Sequence, residues 1–157
     1  MELNNEKKRF IENIGLFFET QRLPRLAGRM VGFLLICDPP EQTANEIGGT
    51  LEMSKGSVST MTRLLMQMGI IEKVSPFGTR RDYYRIHPRA SEQLLLARQA
   101  EFLQLRNLVS QGLAVLSNED QTSQQRLIEM RTMCQLVVDE VPHLIEQLRT
   151  VREDRSE

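Results

Sequence analysis

TANEIGGTLEMSKGSVSTMTRLLMQMGIIEKVSPFGTRRDYYRI, residues 43–86, holds two short helical patterns, a tight turn and two strand-like runs. Thr43-Ala44-Asn45-Glu46 is a capping box, in which a hydroxyl and a carboxylate satisfy two backbone amides that a helix start leaves unpaired. It follows Pro39-Pro40, a pair that no helix interior tolerates. Ile47 and Leu51 give the first helix an apolar side, while Gly48-Gly49 keep it short and let a neighbour approach.

Ser54 caps the second helix, and Gly69 closes it as a C-terminal cap. Val58, Met61, Leu65 and Met68 recur at helical spacing and face inward, which leaves Lys55, Ser57, Ser59, Thr60, Thr62 and Arg63 on the other faces. Ile70 to Val74 and Arg81 to Ile86 are β-rich, and Ser75-Pro76-Phe77-Gly78-Thr79-Arg80 between them suits a hairpin tip. Helix, turn, helix and hairpin in this order predict a winged helix-turn-helix, with the hairpin as its wing.

A second helix rich in small hydroxyls and carrying Lys55 and Arg63 can lie deep in a groove. Arg80 and Arg81 at the tip can reach phosphate or a narrow minor groove. The expected DNA contacts are therefore Ser54, Lys55, Ser57, Ser59, Thr60 and Arg63 in the major groove, with Arg80 and Arg81 on the wing. Ser54 also caps its helix, so its loss would mix folding with binding. The plainer alternative for each charged residue is an ordinary solvated surface.

Charge is unevenly spread. Residues 20–89 hold ten Lys or Arg against six Asp or Glu, residues 90–157 hold seven against eleven, and residues 1–19 hold three against four. Basicity is thus concentrated in the lobe expected to face DNA, although the whole chain has a net charge of −1. One such lobe makes few phosphate contacts, which favours a dimer.

The run PRLAGRMVGFLLICDPPEQTANEIGGTLEMSKGSVSTMTRLLMQMGIIEKVSPFGTRRDYYRIHP resembles the GbsR branch of the MarR-type bacterial transcription regulators. The likeness covers roughly residues 20–90. It rests on the helix after Leu23-Pro24-Arg25, the link Asp38-Pro39-Pro40-Glu41-Gln42, and Lys55-Gly56-Ser57-Val58-Ser59 opening the recognition helix. The resemblance implies a mainly helical homodimer with two winged lobes on a pseudo-palindromic operator. MarR-type wings often carry an Asp shortly before the wing Arg; the matching place here is Gly78, which leaves open whether Asp82 supports Arg80. The GbsR branch is associated with glycine betaine and choline metabolism, but the likeness lies in the DNA-binding lobe and does not carry an effector across.

Beyond the wing, Leu127, Met130, Cys134, Val137, Val141, Leu144, Leu148 and Val151 form a heptad seam, and Phe102, Leu105, Val109, Gly112 and Leu116 keep the same alternation in the helix before it. The two helices can pair within one chain or across a dimer. Pro142 inside the seam should kink the last helix near Asp139. Phe10, Ile14, Phe17 and Gln21 share a face of an N-terminal helix expected to pack on the C-terminal pair. Leu23, Leu26, Met30, Phe33 and Cys37 form the next apolar stripe, with Gly28 and Gly32 as packing devices, since no strand precedes them to make a phosphate loop. The expected organisation is an N-terminal helix at 1–20, a winged helix-turn-helix at 21–88 and a helical dimerisation region at 89–157.

Cys37 and Cys134 read as buried small hydrophobes, with oxidant sensing by Cys134 a minority alternative. His87 before Pro88 reads as a helix cap. With His143 the only other imidazole, no metal site is expected, and no nucleophile, base and orienting acid stand together, so an enzyme is not expected. No cofactor is expected either. There is no secretory signal and no apolar run of membrane-spanning length, which gives a cytoplasmic expectation.

The reading is a homodimeric DNA-binding transcriptional regulator, repressor or activator, modulated by a small-molecule effector between the helical dimer region and the lobes. The competing reading is a winged-helix protein-interaction module whose C-terminal heptads pair with another chain.

Overall fold

The computed structural model describes residues 3–75, 81–116 and 121–154. In chain order the elements are α1 (Asn5–Thr20), α2 (Arg25–Ile36), β1 (Gln42–Thr43), α3 (Ala44–Leu51), α4 (Lys55–Gln67), β2 (Ile71–Val74), β3 (Tyr83–Ile86), α5 (Ala90–Val115) and α6 (Gln121–Glu153). They fall into two compact units, Met1–Ala90 and Ser91–Glu157.

The first unit is a winged helix built around α2. Its core joins Met30, Phe33 and Leu34 of α2 to Ile47 and Leu51 of α3, Val58 and Leu65 of α4, and Ile70 and Ile71 leading into β2. Each large apolar side chain removed from water in this way contributes about 1.5–3 kcal/mol. Helix α2 is buried on nearly every side because α1 covers one flank while α3 and α4 cover another.

Three glycines set how closely α1 and α2 approach. A Cβ at Gly28 would lie 2.6 Å from the Ile14 carbonyl oxygen, one at Gly32 would lie 3.1 Å from Ile11 Cα, and one at Gly15 would lie 2.8 Å from Arg29 Cγ. The face of α1 that meets α2 is therefore Ile11, Ile14, Gly15 and Phe18, while Phe10 and Phe17 of the face expected to meet the C-terminal pair are exposed. Apolar residues surround much of α1, so spacing alone did not choose between adjacent stripes; the fit of Ile11, Ile14 and Phe18 against Gly28 and Gly32 of α2 did. Phe17 stays 58% exposed. The N-terminal helix accordingly belongs to the same compact unit as the winged helix, and no unit boundary falls at residue 20.

A third strand joins the expected hairpin. The sheet order is β1-β3-β2, antiparallel throughout, with Thr43 opposite Tyr83 and Ile71 opposite Ile86. Only two residues long, β1 carries no periodic signal in sequence.

Helix ends follow the predicted chemistry. Ile70 N–H donates to Leu65 O and Gly69 N–H to Met66 O, a Schellman closure of α4 with Gly69 at φ 67°. Helix α1 ends the same way, Leu23 N–H to Phe18 O and Arg22 N–H to Glu19 O, but with Arg22 in the left-handed position at φ 59°. The tight turn between α3 and α4 places Glu52 at φ 55°. His87 Nδ1 accepts the Arg89 N–H in the turn ahead of α5, which begins at Ala90 and not at the expected Pro88.

In the second unit α5 and α6 run antiparallel. Arg152 donates to Glu92, Gln99 to the Val138 carbonyl, Arg106 to Gln135, and Gly112 lies against Leu127. Helix α6 runs from Gln121 through Pro142 to Glu153 without interruption, although the proline supplies no amide donor there. Val109 of α5 and Cys134, Val141 and Ile145 of α6 are buried between the two helices. The expected heptad seam is thus only partly the contact line: Cys134 and Val141 lie on it, but Ile145 replaces Leu144, and Met130 and Val151 are exposed. A straight α-helix drifts by about 20° per heptad against a 3.5-residue repeat, so a strict seam rotates out of the contact.

Candidate nucleic-acid interface

Helix α4 has two chemically opposed faces. Val58, Met61 and Leu65 are buried, while Lys55, Ser59, Thr60 and Arg63 are exposed. Ser54 accepts the Ser57 N–H at 3.1 Å, and the two hydroxyls lie 2.9 Å apart, so their first task is to hold the start of α4. Thr62 does not join the outward face; it is 3% exposed, and its hydroxyl donates to the Val58 and Ser59 carbonyls. One turn beyond Val58, Thr62 falls on the same side as the core stripe, and the bonds to its own helix remove the cost of burying the hydroxyl. Two outward positions were missed in the sequence. Gly56 is exposed, with Ser54 Oγ 3.9 Å from where a Cβ would stand, and Gln67 is exposed one turn beyond Arg63. Both follow from projecting the helix outward from Arg63, but neither is a charge or hydroxyl that draws attention.

The cap of α3 forms as expected. Glu46 Oε2 accepts from both the N–H and the hydroxyl of Thr43 at 2.7 Å, and Thr43 Oγ1 accepts the Glu46 N–H. The Thr43 amide, ahead of the Thr43 hydroxyl, holds the Glu46 carboxyl below the usual carboxylate range.

The wing is braced at its base. Asp82 pairs with Lys73 at 2.8 Å and accepts from the Ser75 hydroxyl at 2.9 Å, joining the two strands below the tip. Lys73, then Ser75, holds the Asp82 carboxyl low, while Asp82 raises Lys73 in return. Arg85 donates to Glu72 at 2.6 Å and to Glu41 at 2.8 Å, so one guanidinium ties the β2–β3 ladder to the segment entering β1. Glu72 is the chief cause of its raised pKa. Arg81 is exposed beside this ladder, whereas Arg80 and Gly78 lie outside the described residues.

Both cysteines are free thiols. Cys134 is fully buried in the α5–α6 pair, while Cys37 is half-buried at the end of α2, where burial pushes its thiol up. Among the described residues no three His, Cys, Asp or Glu side chains gather as metal ligands would, and no helix is long and apolar enough to cross a membrane.

Comparison with known proteins agrees with this geometry. A family model described as MmpR5-like MarR family transcriptional regulator matches residues 89–151. The HTH-type transcriptional regulator MmpR5 of Mycobacterium tuberculosis is 39% identical over 124 residues, covering 79% of this chain and 75% of MmpR5. A crystal structure described as a transcriptional regulator superposes with a TM-score of 0.74 at 34% identity, covering 92% of this chain and 99% of that one. The matched branch is the MmpR5-like one, and the match extends into the tail helices, beyond the stretch that carried the GbsR resemblance. With a winged helix whose second helix turns cations and hydroxyls outward, and with that identity over that length, the chain belongs to the MarR family of DNA-binding transcriptional regulators, not to a family of enzymes.

Proposed function

We propose that the chain acts in the cytoplasm as a homodimer on a pseudo-palindromic operator, with α4 of each copy in a major groove and the wings on flanking backbone or minor groove. The observation that carries this reading is the outward face of α4: Lys55, Ser59, Thr60 and Arg63 stand exposed on a helix whose opposite face is locked into the core. Ser54 and Ser57 hold the helix start and offer their remaining lone pairs to a phosphate or base edge. Arg80 and Arg81 supply wing contacts.

The tail supports dimerisation. Even with α5 and α6 paired, Leu108 is 55%, Leu136 67% and Val115 80% exposed. Side chains of this size in water favour a second copy that covers them. An open groove of about 570 Å³ lined by Leu94, Leu95, Arg98, Leu144 and Leu148 supplies an apolar seat in the same unit for a modulating small molecule.

The test is selection of genomic fragments by the purified chain, followed by binding of Arg63→Ala and Arg81→Ala to one selected duplex and to a scrambled one. Arg63→Ala should weaken the selected duplex more, by about 1–3 kcal/mol, through a lost base contact. Arg81→Ala should weaken both and lower the salt slope by about 0.9. Capture of no fragment near physiological salt, or a strictly monomeric chain, overturns the proposal.

A further inference from the structure

The end of α3 is held by a side chain from α2. Leu51 is the last residue of α3, and a helix leaves its final carbonyls without an internal partner. Arg29 supplies one, its Nη2 donating to the Leu51 carbonyl at 3.2 Å. A cation here also suits the negative end of the helix dipole. The chain turns immediately beyond, with Glu52 at φ 55°, the Met53 N–H donating to the Gly48 carbonyl at 2.9 Å, and Ser54 capping α4. The other edge of the guanidinium meets α1. Its Nε, screened from water and without a hydrogen bond among the described residues, lies 3.4 Å from Glu12 Oε2. Charge therefore holds it there, and Glu12 is itself paired with Arg25. Gly15 of α1 leaves room for the stem, since a Cβ would stand 2.8 Å from Arg29 Cγ. One side chain thus joins α1 to the turn of the helix-turn-helix.

We propose that Arg29 is a positioning residue for DNA recognition: gripped by Glu12 of α1, it fixes the Leu51 carbonyl and with it the turn that sets the direction of α4. The inference rests on the DNA-binding reading above. Reading bases requires α4 to enter a groove at one angle, because hydrogen bonds to base edges tolerate little misalignment. Contacts to phosphate are more forgiving, since charge acts over several ångströms. Loss of the grip therefore lowers discrimination more than overall affinity. It does not orphan the carbonyl, because a cavity of about 250 Å³ lined by Lys8, Thr50, Leu51 and Glu52 gives water access beside it. Glu12 likewise keeps Arg25. The fold thus survives while the turn is freed.

The experiment measures the full chain by fluorescence anisotropy against a selected genomic duplex and a scrambled duplex of equal length, across several salt concentrations. Arg29→Met keeps the apolar stem and removes the donors. The ratio of the two affinities should fall roughly five-fold or more, the loss of one weak base contact, while the scrambled duplex keeps its affinity and salt slope. An unchanged ratio overturns the inference. So does a loss on both duplexes with a shallower salt slope, which marks Arg29 as a phosphate contact. Glu12→Gln should lower the ratio in the parent and not in the Arg29→Met background; an equal fall in both overturns the grip from α1. Hydrogen exchange at the Met53 amide reports the turn without DNA. It should quicken roughly two- to ten-fold in Arg29→Met, the range one hydrogen bond spans, and unchanged exchange overturns the inference. Should Arg29→Met fail to fold, Arg29→Lys tests the same point, since an ammonium keeps the charge but lacks the fork that spans Glu12 and the Leu51 carbonyl. The ratio should then fall while the salt slope holds, and an unchanged ratio overturns the proposal. Absence of binding by the parent chain overturns the DNA-binding reading, and the inference with it; the Met53 amide tells that failure from one of the Arg29 grip.

Discussion

The same substitution, glycine to alanine, should have opposite signs at two helical positions of the winged unit. At Gly28 the new Cβ would stand 2.6 Å from the Ile14 carbonyl oxygen and 2.7 Å from Phe18 Cβ. One obstacle is backbone and the other is the root of a side chain, so neither yields by a rotamer change, and α1 must move away from α2. That movement loosens Ile11 and Ile14, which pack against α2 beside Gly32. Overpacking costs about 1–3 kcal/mol, and an obstacle of backbone and Cβ that cannot turn away puts this site at about 2–3 kcal/mol, against a gain of about 1 kcal/mol in helix propensity. The net expectation is a loss of about 1–2 kcal/mol. At Gly49, inside α3, nothing lies within 4 Å of an added Cβ. Only the propensity gain applies there, so Gly49→Ala should stabilise by about 0.5–1 kcal/mol. In thermal unfolding at fixed protein concentration, each kcal/mol moves the midpoint by about 4–8 °C for a unit of this size. Gly28→Ala should therefore melt roughly 5–15 °C below the parent and Gly49→Ala a few degrees above it. A Gly28→Ala protein as stable as the parent would refute the close helix approach on which this account of the α1–α2 contact depends.

Two other expectations follow from local chemistry. Arg22 closes α1 in the left-handed region, where a Cβ costs about 1–2 kcal/mol and glycine escapes the penalty at an entropic cost of about 0.5–1 kcal/mol; Arg22→Gly should raise the unfolding midpoint slightly, and a clear decrease would point to a contact of the Arg22 side chain that outweighs the strain. Glu46 and Asp82 are both held below the usual carboxylate range, so the folded chain binds fewer protons there than the unfolded chain, and the stability they contribute is present above that range and lost as pH falls through and below it. Unfolding midpoints followed downward from about pH 6 should fall less steeply in Glu46→Gln than in the parent, with parallel curves refuting the contribution of Glu46.

Much of the winged unit was legible because its signals are local. The Thr43-to-Glu46 box, the Ser54 cap, Gly69 and the spacing of Val58, Met61 and Leu65 each specify backbone within a turn or two, and each recurs in the fold. Of the expected DNA-facing residues, Lys55, Ser59, Thr60 and Arg63 share one exposed face, because a helix with one apolar stripe leaves little choice for the rest.

The remainder depended on contacts between segments far apart in the chain. Which stripe of α1 is buried was decided by where Gly28 and Gly32 of α2 meet it, a match that neither helix encodes alone. Strand β1 exists because β3 offers it an edge, and the reach of Arg29 to the Leu51 carbonyl follows from how α2 and α3 pack rather than from any spacing in the sequence. In the tail, the apolar repeat announced paired helices, but the partner face was set by helical drift and by Glu92, Gln99 and Arg106 on α5 reaching across to α6. Sequence determined which segments are helix, turn or strand because those preferences act over a few residues. Tertiary structure decided which faces meet, because packing selects among apolar stripes that are nearly equivalent until a second surface is placed against them.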